Sequence, residues 1–349
     1  MVARRIPWYL RKRFRKLRRR WFRRPRWRFA RVVPRHKIKE RVERLAKIKK
    51  EPRYFVRELI LKNWEADTEI NYELPKFGRL SAIDLLIYYK ITTADTGSPA
   101  QPELWHLKAW GDIEISDSGK TYIRAPIRAL KLYSALVFDT DIVDPRTSEV
   151  SKVLEGVDIV RIEFDWNVRS DFVLEQFPFE TGVGLNLMNK RDPVMTFKTK
   201  SVDMTDTTID YLRIRPILYL QQTDKPILPE PWVEYIKQSM DTITTYEISP
   251  AEGVFHISDI IILEDTNGNL ADVDKIEVKD AESDTTYLTL SDPWEVVRVW
   301  CEQDKQIKAF PVYLGYFRNP YIAKKREVVY RVLNKVEGNL ILLQVGYKK

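Results

Sequence analysis

The first 35 residues, MVARRIPWYLRKRFRKLRRRWFRRPRWRFARVVPR, carry sixteen Lys and Arg and no Asp or Glu. Fourteen of the sixteen are Arg, and Trp8, Tyr9, Phe14, Trp21, Phe22, Trp27 and Phe29 are interleaved with them. Like charges this dense repel one another, so the stretch cannot be gathered into an ordinary core. It needs a polyanion to neutralise it, and nucleic-acid phosphate suits its chemistry best.

The rest of the chain is a different object. Residues 1–50 hold 23 of the 59 basic residues and 2 of the 50 acidic ones, which leaves 36 basic against 48 acidic in residues 51–349. The isoelectric point of about 9.3 therefore conceals an acidic body of net −12 behind a basic arm. Such asymmetry points to an arm that binds nucleic acid or an anionic membrane and a body that repels the same partner.

At 349 residues with 44% hydrophobic content, the chain has enough material for one large or two medium folded domains. Cys301 is the single cysteine, so no intrachain disulfide forms. No apolar stretch approaches the roughly 20 residues that span a bilayer. The N-terminal run lacks the apolar segment of a secretory signal and the serines of a transit peptide.

Prolines divide the arm. After Pro7, Leu10, Phe14, Leu17 and Trp21 recur at helical spacing and Pro25 ends the pattern. Trp27 and Phe29 alternate with Arg26 and Arg28, as in an extended segment. A second helix is expected over His36–Lys50, with Ile38, Val42, Leu45 and Ile48 on one face, and Pro52 closes it.

From about Tyr54, strand signals dominate. Runs rich in Val, Ile, Thr, Tyr and Phe, bounded by turn residues, include Phe55–Leu61, Ala82–Ile91, Leu104–Ile115, Thr121–Ile127, Ala129–Phe138, Asp158–Trp166, Val194–Lys200 and Thr207–Tyr219. Further runs are Thr242–Ile248, Phe255–Leu263, Lys275–Val278, Thr285–Leu290, Trp294–Cys301, Ala309–Tyr313, Val328–Val332 and Leu340–Val345. Asp117-Ser118-Gly119-Lys120 and Asn267-Gly268-Asn269 read as hairpin turns. Pro231–Met240 is the one convincing helix of this part. The expected fold is all-β, a jelly-roll (Greek-key) β-sandwich preceded by a basic, partly helical N-terminal arm. The expected divisions are an arm over 1–53, a jelly roll over 54–225, and a second β-rich domain or closing strands of the same sandwich over 226–349. The Pro-rich stretch 223–235 lies between the last two.

Signals for catalysis are weak. His36, His106 and His256 lack metal-ligand spacing, and His106 and His256 fall in expected strands. Cys301 alternates with apolar residues and has nothing nearby to activate it. Gly182 and Gly184 lack the third glycine of a dinucleotide loop. Asp265, Asn267, Asn269 and Asp272 resemble part of a calcium loop, but the glycine is misplaced and the closing bidentate Glu is missing, so a polar hairpin is the better reading. Asp203, Asp206 and Asp210 read as a solvated loop and strand face. No cofactor, metal site or catalytic residue is expected.

The arm carries the functional signal. Arg makes bidentate contacts with phosphate, and aromatic rings stack on exposed bases. The candidates for phosphate are Arg11, Arg13, Arg15, Arg18, Arg19, Arg20, Arg23, Arg24, Arg26 and Arg28. Trp21, Phe22 and Trp27 are the stacking or wedge candidates. A basic helix with Leu10, Phe14, Leu17 and Trp21 on one face also suits an anionic bilayer surface.

An Arg-rich, aromatic-studded arm followed by a β-sandwich resembles single jelly-roll viral capsid proteins. The arm is similar to those of circoviruses and anelloviruses. The high charge and low glycine content of the body suit a thermophile's virus, such as an archaeal icosahedral one. The resemblance implies a structural protein and no enzyme. It implies subunits that assemble inside the host cell into pentamers and hexamers of an icosahedral virion shell, alongside other capsid proteins. On the inner face the arm would bind the packaged genomic nucleic acid or an internal lipid membrane. The alternative is a cellular, sequence-independent nucleic-acid-binding protein. A carbohydrate-active or lectin-like β-sandwich enzyme, with a groove lined by acids such as Asp165 and Glu175, is a further reading.

Overall fold

The computed structural model of the chain describes residues 54–138, 140–164, 184–222, 230–242, 244–291, 293, 297, 308–314, 321–322, 328–334 and 336–348. The expected arm helices lie outside these residues. The first part of the body runs β1 (Tyr54–Glu58), β2 (Lys62–Asn63), β3 (Glu69–Glu73), β4 (Arg79–Thr93), α1 (Trp105–Trp110), β5 (Asp112–Asp117), β6 (Lys120–Pro126), α2 (Ile127–Phe138), β7 (Val153–Glu163), β8 (Leu185–Asn186), β9 (Pro193–Lys198) and β10 (Thr207–Gln221). The second runs β11 (Glu230–Met240), β12 (Thr245–Ile248), β13 (Phe255–Asp265), β14 (Leu270–Ala271), β15 (Val273–Asp280), β16 (Thr286–Ser291), β17 (Phe310–Leu314), β18 (Tyr321–Ile322), β19 (Val328–Asn334) and β20 (Gly338–Lys348).

Alternation along β4 from Leu85 onward, and along β10, builds the first sheet. Ile83, Leu85, Ile87 and Ile91 point to the core from β4, and Leu212, Ile214, Leu218 and Leu220 do so from β10. The antiparallel register sets Ile87 beside Ile214 and Ile83 beside Leu218. One face is thereby buried and the other left to solvent. β7 pairs along the other side of β4, placing Val160 beside Leu85 and Ile162 beside Ile83. The strand order is β1-β10-β4-β7, with β2 on β10 and β8 on β4.

A ten-stranded sheet runs through both parts of the body in the order β14-β13-β20-β11-β6-β5-β9-β3, with β17 and β18 on β13. Its two halves join where β11 meets β6 in parallel at Val233 and Ile123. Tyr72 of β3 spans the first sandwich, its hydroxyl donating to the Ile214 carbonyl of β10 at 3.2 Å. A third sheet, β12-β19-β15-β16, pairs with neither of the others; Tyr330 of β19 reaches Asp259 of β13 at 2.5 Å. The body is thus an all-β jelly-roll sandwich, as the alternation predicts.

Three expectations are corrected. Pro231–Met240 is strand β11, because Glu230 through Met240 pair residue by residue with Lys348 through Gly338, and this ladder overrides the local helical spacing. Ala129–Phe138 is the helix α2. Every residue from Ile127 to Ala135 is buried, the polar Arg128, Lys131 and Ser134 included, so the helix has no solvent-facing stripe although these three fall at helical spacing. Leu104–Ile115 begins as the helix α1, which places His106 on a helix, and only then becomes β5. Gly111 ends α1 at φ 60°; a Cβ there would lie 2.1 Å from the Lys198 carbonyl oxygen. Val297, the one described residue of the expected strand Trp294–Cys301, is helical, and Cys301 lies outside the described residues. Both predicted hairpins form. Ser118 and Gly119 take φ 48° and 87° between β5 and β6, and Gly268 takes φ 77° between β13 and β14.

Helices α1 and α2 lock the hairpin of the second part to the first. Arg128 of α2 is 4% exposed. Its guanidinium pairs with Glu264 and donates to the Gly268 carbonyl at 2.7 Å. Beside it, the Glu103 carboxylate accepts the Leu270 N–H at 2.9 Å, and the Glu103 N–H donates to Asn269 Oδ1 at 3.2 Å. Removing one partner of such a buried pair leaves the other uncompensated. Arg128→Ala is expected to cost about 3–5 kcal/mol in chemical denaturation. Arg128→Lys should recover only part of it, because an ammonium cannot reproduce the guanidinium fork.

Candidate interaction surfaces

The arm residues singled out for phosphate and stacking, Arg11 through Arg28, lie outside the described residues. The structure does show the end of the body at which the chain enters. Phe55 of β1 meets Phe77 edge to face at 6.3 Å, and both are more than 40% exposed. Gly78 accepts the Leu187 N–H at 3.0 Å, which brings Met188, also exposed, to the same end. Lys76 reaches from this loop to Asp192 at 2.8 Å, and the Asp192 N–H donates to Asp117 Oδ1 at 2.7 Å. The turn after Asp117 carries Lys120, which together with Lys190 holds Glu230. Burial alone would raise the Glu230 carboxyl, but hydrogen bonds from the two lysines hold it below the usual carboxylate range. Phe77 and Met188 sit in loops that the sequence marks only as turns, so no periodicity pointed to them.

The two described histidines, His106 and His256, are structural. His106 Nε2 lies 2.8 Å from Asp158 Oδ2, and Lys131 Nζ lies 2.6 Å from Asp158 Oδ1, with both basic side chains at most 3% exposed. Burial would raise the Asp158 carboxyl, but the His106 hydrogen bond and the charges around it hold it below its ordinary value. Lys131 also donates to the Ile159 carbonyl at 2.7 Å, and Ser134 to the Arg161 carbonyl at 3.0 Å. Two carbonyls of the edge strand β7 are thus satisfied by α2. His256 has Asp259 Oδ1 at 2.9 Å from Nδ1 and the Ala251 carbonyl at 2.7 Å from Nε2. Both ring nitrogens face acceptors, an arrangement that favours the doubly protonated ring.

The calcium-like loop is a hairpin turn. Asp265 accepts the Asn269 backbone N–H at 2.7 Å, Asp272 accepts the Val273 N–H at 3.1 Å, and the Lys108 ammonium donates to the Asn267 carbonyl at 3.2 Å. Among the described residues, no three His, Cys, Asp or Glu are placed to hold a metal ion. Asp206 accepts the Ser98 N–H and Asp210 the Thr92 hydroxyl. Gly184 packs against Arg79 and Leu80. Gly182, Asp165, Glu175 and His36 lie outside the described residues. Among the described residues, no helix is long and apolar enough to cross a membrane.

The body has the fold of viral major capsid proteins of known structure. The STIV MCP aligns at a TM-score of 0.67 and 12% identity, over 85% of this chain and 97% of that one. A chain of the atomic structure of Sulfolobus Turreted Icosahedral Virus aligns at 0.68 and 13%, over 84% and 90%. The major capsid protein of Bacteriophage PM2 aligns at 0.52 and 12%, over 85% and 98%. No family model and no curated protein matches the sequence.

The paired state of His256 sets a pH dependence. Burial disfavours its charge, but the Asp259 carboxylate and the Ala251 carbonyl raise its pKa above the ordinary 6.5. The resulting stabilisation is fully present below 6.5 and is lost as pH rises through the higher folded-state value. Thermal melting across the neutral to mildly alkaline range should therefore show a fall in Tm that His256→Gln abolishes.

Proposed function

We propose that the chain is a viral coat subunit whose body self-assembles into an icosahedral shell and whose basic arm binds the packaged genome. The observation that carries the reading is a capsid fold matched along almost the whole length of the related chains, 97% for the STIV MCP. The charge partition supports the second half. An arm whose first 35 residues hold sixteen cations and no acids suits phosphate, and the acidic body disfavours docking of the same polyanion elsewhere. The virion shell is the corresponding location, with other copies of the chain and other capsid proteins as partners. An internal membrane is the second candidate for the arm, favoured by the apolar face Leu10, Phe14, Leu17 and Trp21.

The test compares the full-length chain with a chain beginning at Tyr54. Full-length protein should bind single- and double-stranded nucleic acid without sequence preference, with affinity falling steeply as salt rises, and the shortened chain should bind neither. Negative-stain microscopy of the full-length protein with nucleic acid should show closed shells or capsomer rings. Dispersed monomers from both chains at low and high salt would make the cellular nucleic-acid-binding protein the better account. Binding of the arm to anionic vesicles but not to nucleic acid would move its partner to the membrane.

A further inference from the structure

We infer that the solvent-facing side of the sheet β1-β10-β4-β7 is where one copy of this chain docks on a second copy. The inference rests on the self-assembly reading above and names its surface. On a solvated sheet face the outward residues are expected to be polar. The edge strand β7 instead presents Val153, Val157 and Ile159, exposed by 51%, 46% and 48%, and Val56 at the opposite margin is 63% exposed. Between these margins the face is built of Arg and Tyr. Arg213 lies over Tyr211 at 4.6 Å, Arg161 over Tyr219 at 5.4 Å and Arg215 over Tyr88 at 5.9 Å. Apolar margins around preorganised Tyr and Arg are the composition of protein interfaces rather than of solvated strands.

Charge identifies the occupant. Cations of this face are matched by carboxylates: Lys90 by Glu155 at 3.8 Å, Arg161 by Asp84 at 3.8 Å and Arg215 by Glu58 at 3.7 Å. Interspersed carboxylates make the face unsuited to phosphate or an anionic bilayer. Two acidic bodies repel each other over most of their surfaces, and that repulsion is smallest where the charges are mixed and balanced. A second copy meets the same mixture in return, so the face is complementary to itself. Arg213, which forms no ion pair among the described residues, is the cation left for a carboxylate of the neighbour. The extent is adequate. A strand the length of β7, 11 residues, spans about 36 Å, and four strands span about 19 Å. That is roughly 700 Å² per copy, close to the ~800 Å² per partner of stable interfaces.

The experiment is sedimentation velocity of the full-length chain, freed of nucleic acid by nuclease and held at high salt, across a range of protein concentrations. Wild type should sediment as an oligomer. The double variant Val157→Asp with Ile159→Asp should sediment as a monomer with an unchanged Tm. Tyr287→Asp, at a residue 62% exposed on β16 and outside this face, should behave as wild type. Arg213→Glu leaves the aliphatic margin intact and serves if the double variant melts early; it should weaken association by about tenfold or more. Folded variants that associate as tightly as wild type would overturn this inference and leave the coat reading standing. A wild-type chain that stays monomeric at every concentration would overturn both.

Discussion

One apolar core runs through both parts of the body, and a buried polar seam sets how those parts meet. Strand β11 touches β6 at a single register pair, too little ladder to fix two sandwiches against each other. The fixing is done by Arg128, Glu103 and Lys108, which satisfy the 264–270 hairpin of the second part from helices and a loop of the first. Tyr235 adds a bond to Asp112 at 2.7 Å, and burial together with that bond pushes the phenol up to about 12. Tyr347, near the end of β20, donates to the Phe164 carbonyl just after β7 at 3.2 Å. Charged groups in such a place add little net stability over apolar substitutes, but their hydrogen-bond geometry admits only one docking. The relative placement of the two sandwiches follows from that geometry.

The strands were legible because most have one wet face. In β10 and in β4 from Leu85 onward the alternation is clear, and in the hairpin at Ser118-Gly119 the turn chemistry is explicit. The errors fall where burial is complete or pairing is long. Helix α2 is buried on every side, so it lacks the solvent-facing stripe of a surface helix, and its polar residues Arg128, Lys131 and Ser134, three apart, were the one sign of its period. β11 carries prolines and helical spacing at its start, and only the ladder with β20 makes it a strand. The division of the sandwich was less legible still, since β6 and β11 are far apart in sequence and nothing in either predicts that they lie side by side.

The same logic governs the surfaces. The arm's chemistry was plain because charge is a property of composition and survives without a fold. Exposed Val153, Val157 and Ile159 were not, because in sequence they continue the alternation of a strand that is buried on its other side at Asp158, Val160 and Ile162. Only the structure tells which of the two apolar registers meets water. His106 and His256 show the converse. Each looked like a lone histidine, and each is paired with an acid brought to it by the fold: Asp158 of strand β7 for His106 on α1, and Asp259, three residues along the same strand, for His256.

Electrostatics ties arm and body into one assembly problem. A free full-length copy carries net +9, so copies repel through their arms. In the coat proposed above, phosphate would neutralise the arms and leave a set of bodies of net −12, which repel in turn. A coat built this way needs contacts that are indifferent to net charge, and a balanced face with apolar margins supplies them. Salt then acts in opposite directions on the two halves of the process. It weakens the arm's hold on phosphate by favouring counterions, while screening the repulsion between bodies over a Debye length of about 8 Å at physiological ionic strength. Assembly around a genome is accordingly favoured at intermediate salt, where neither repulsion between bodies nor competition for phosphate dominates.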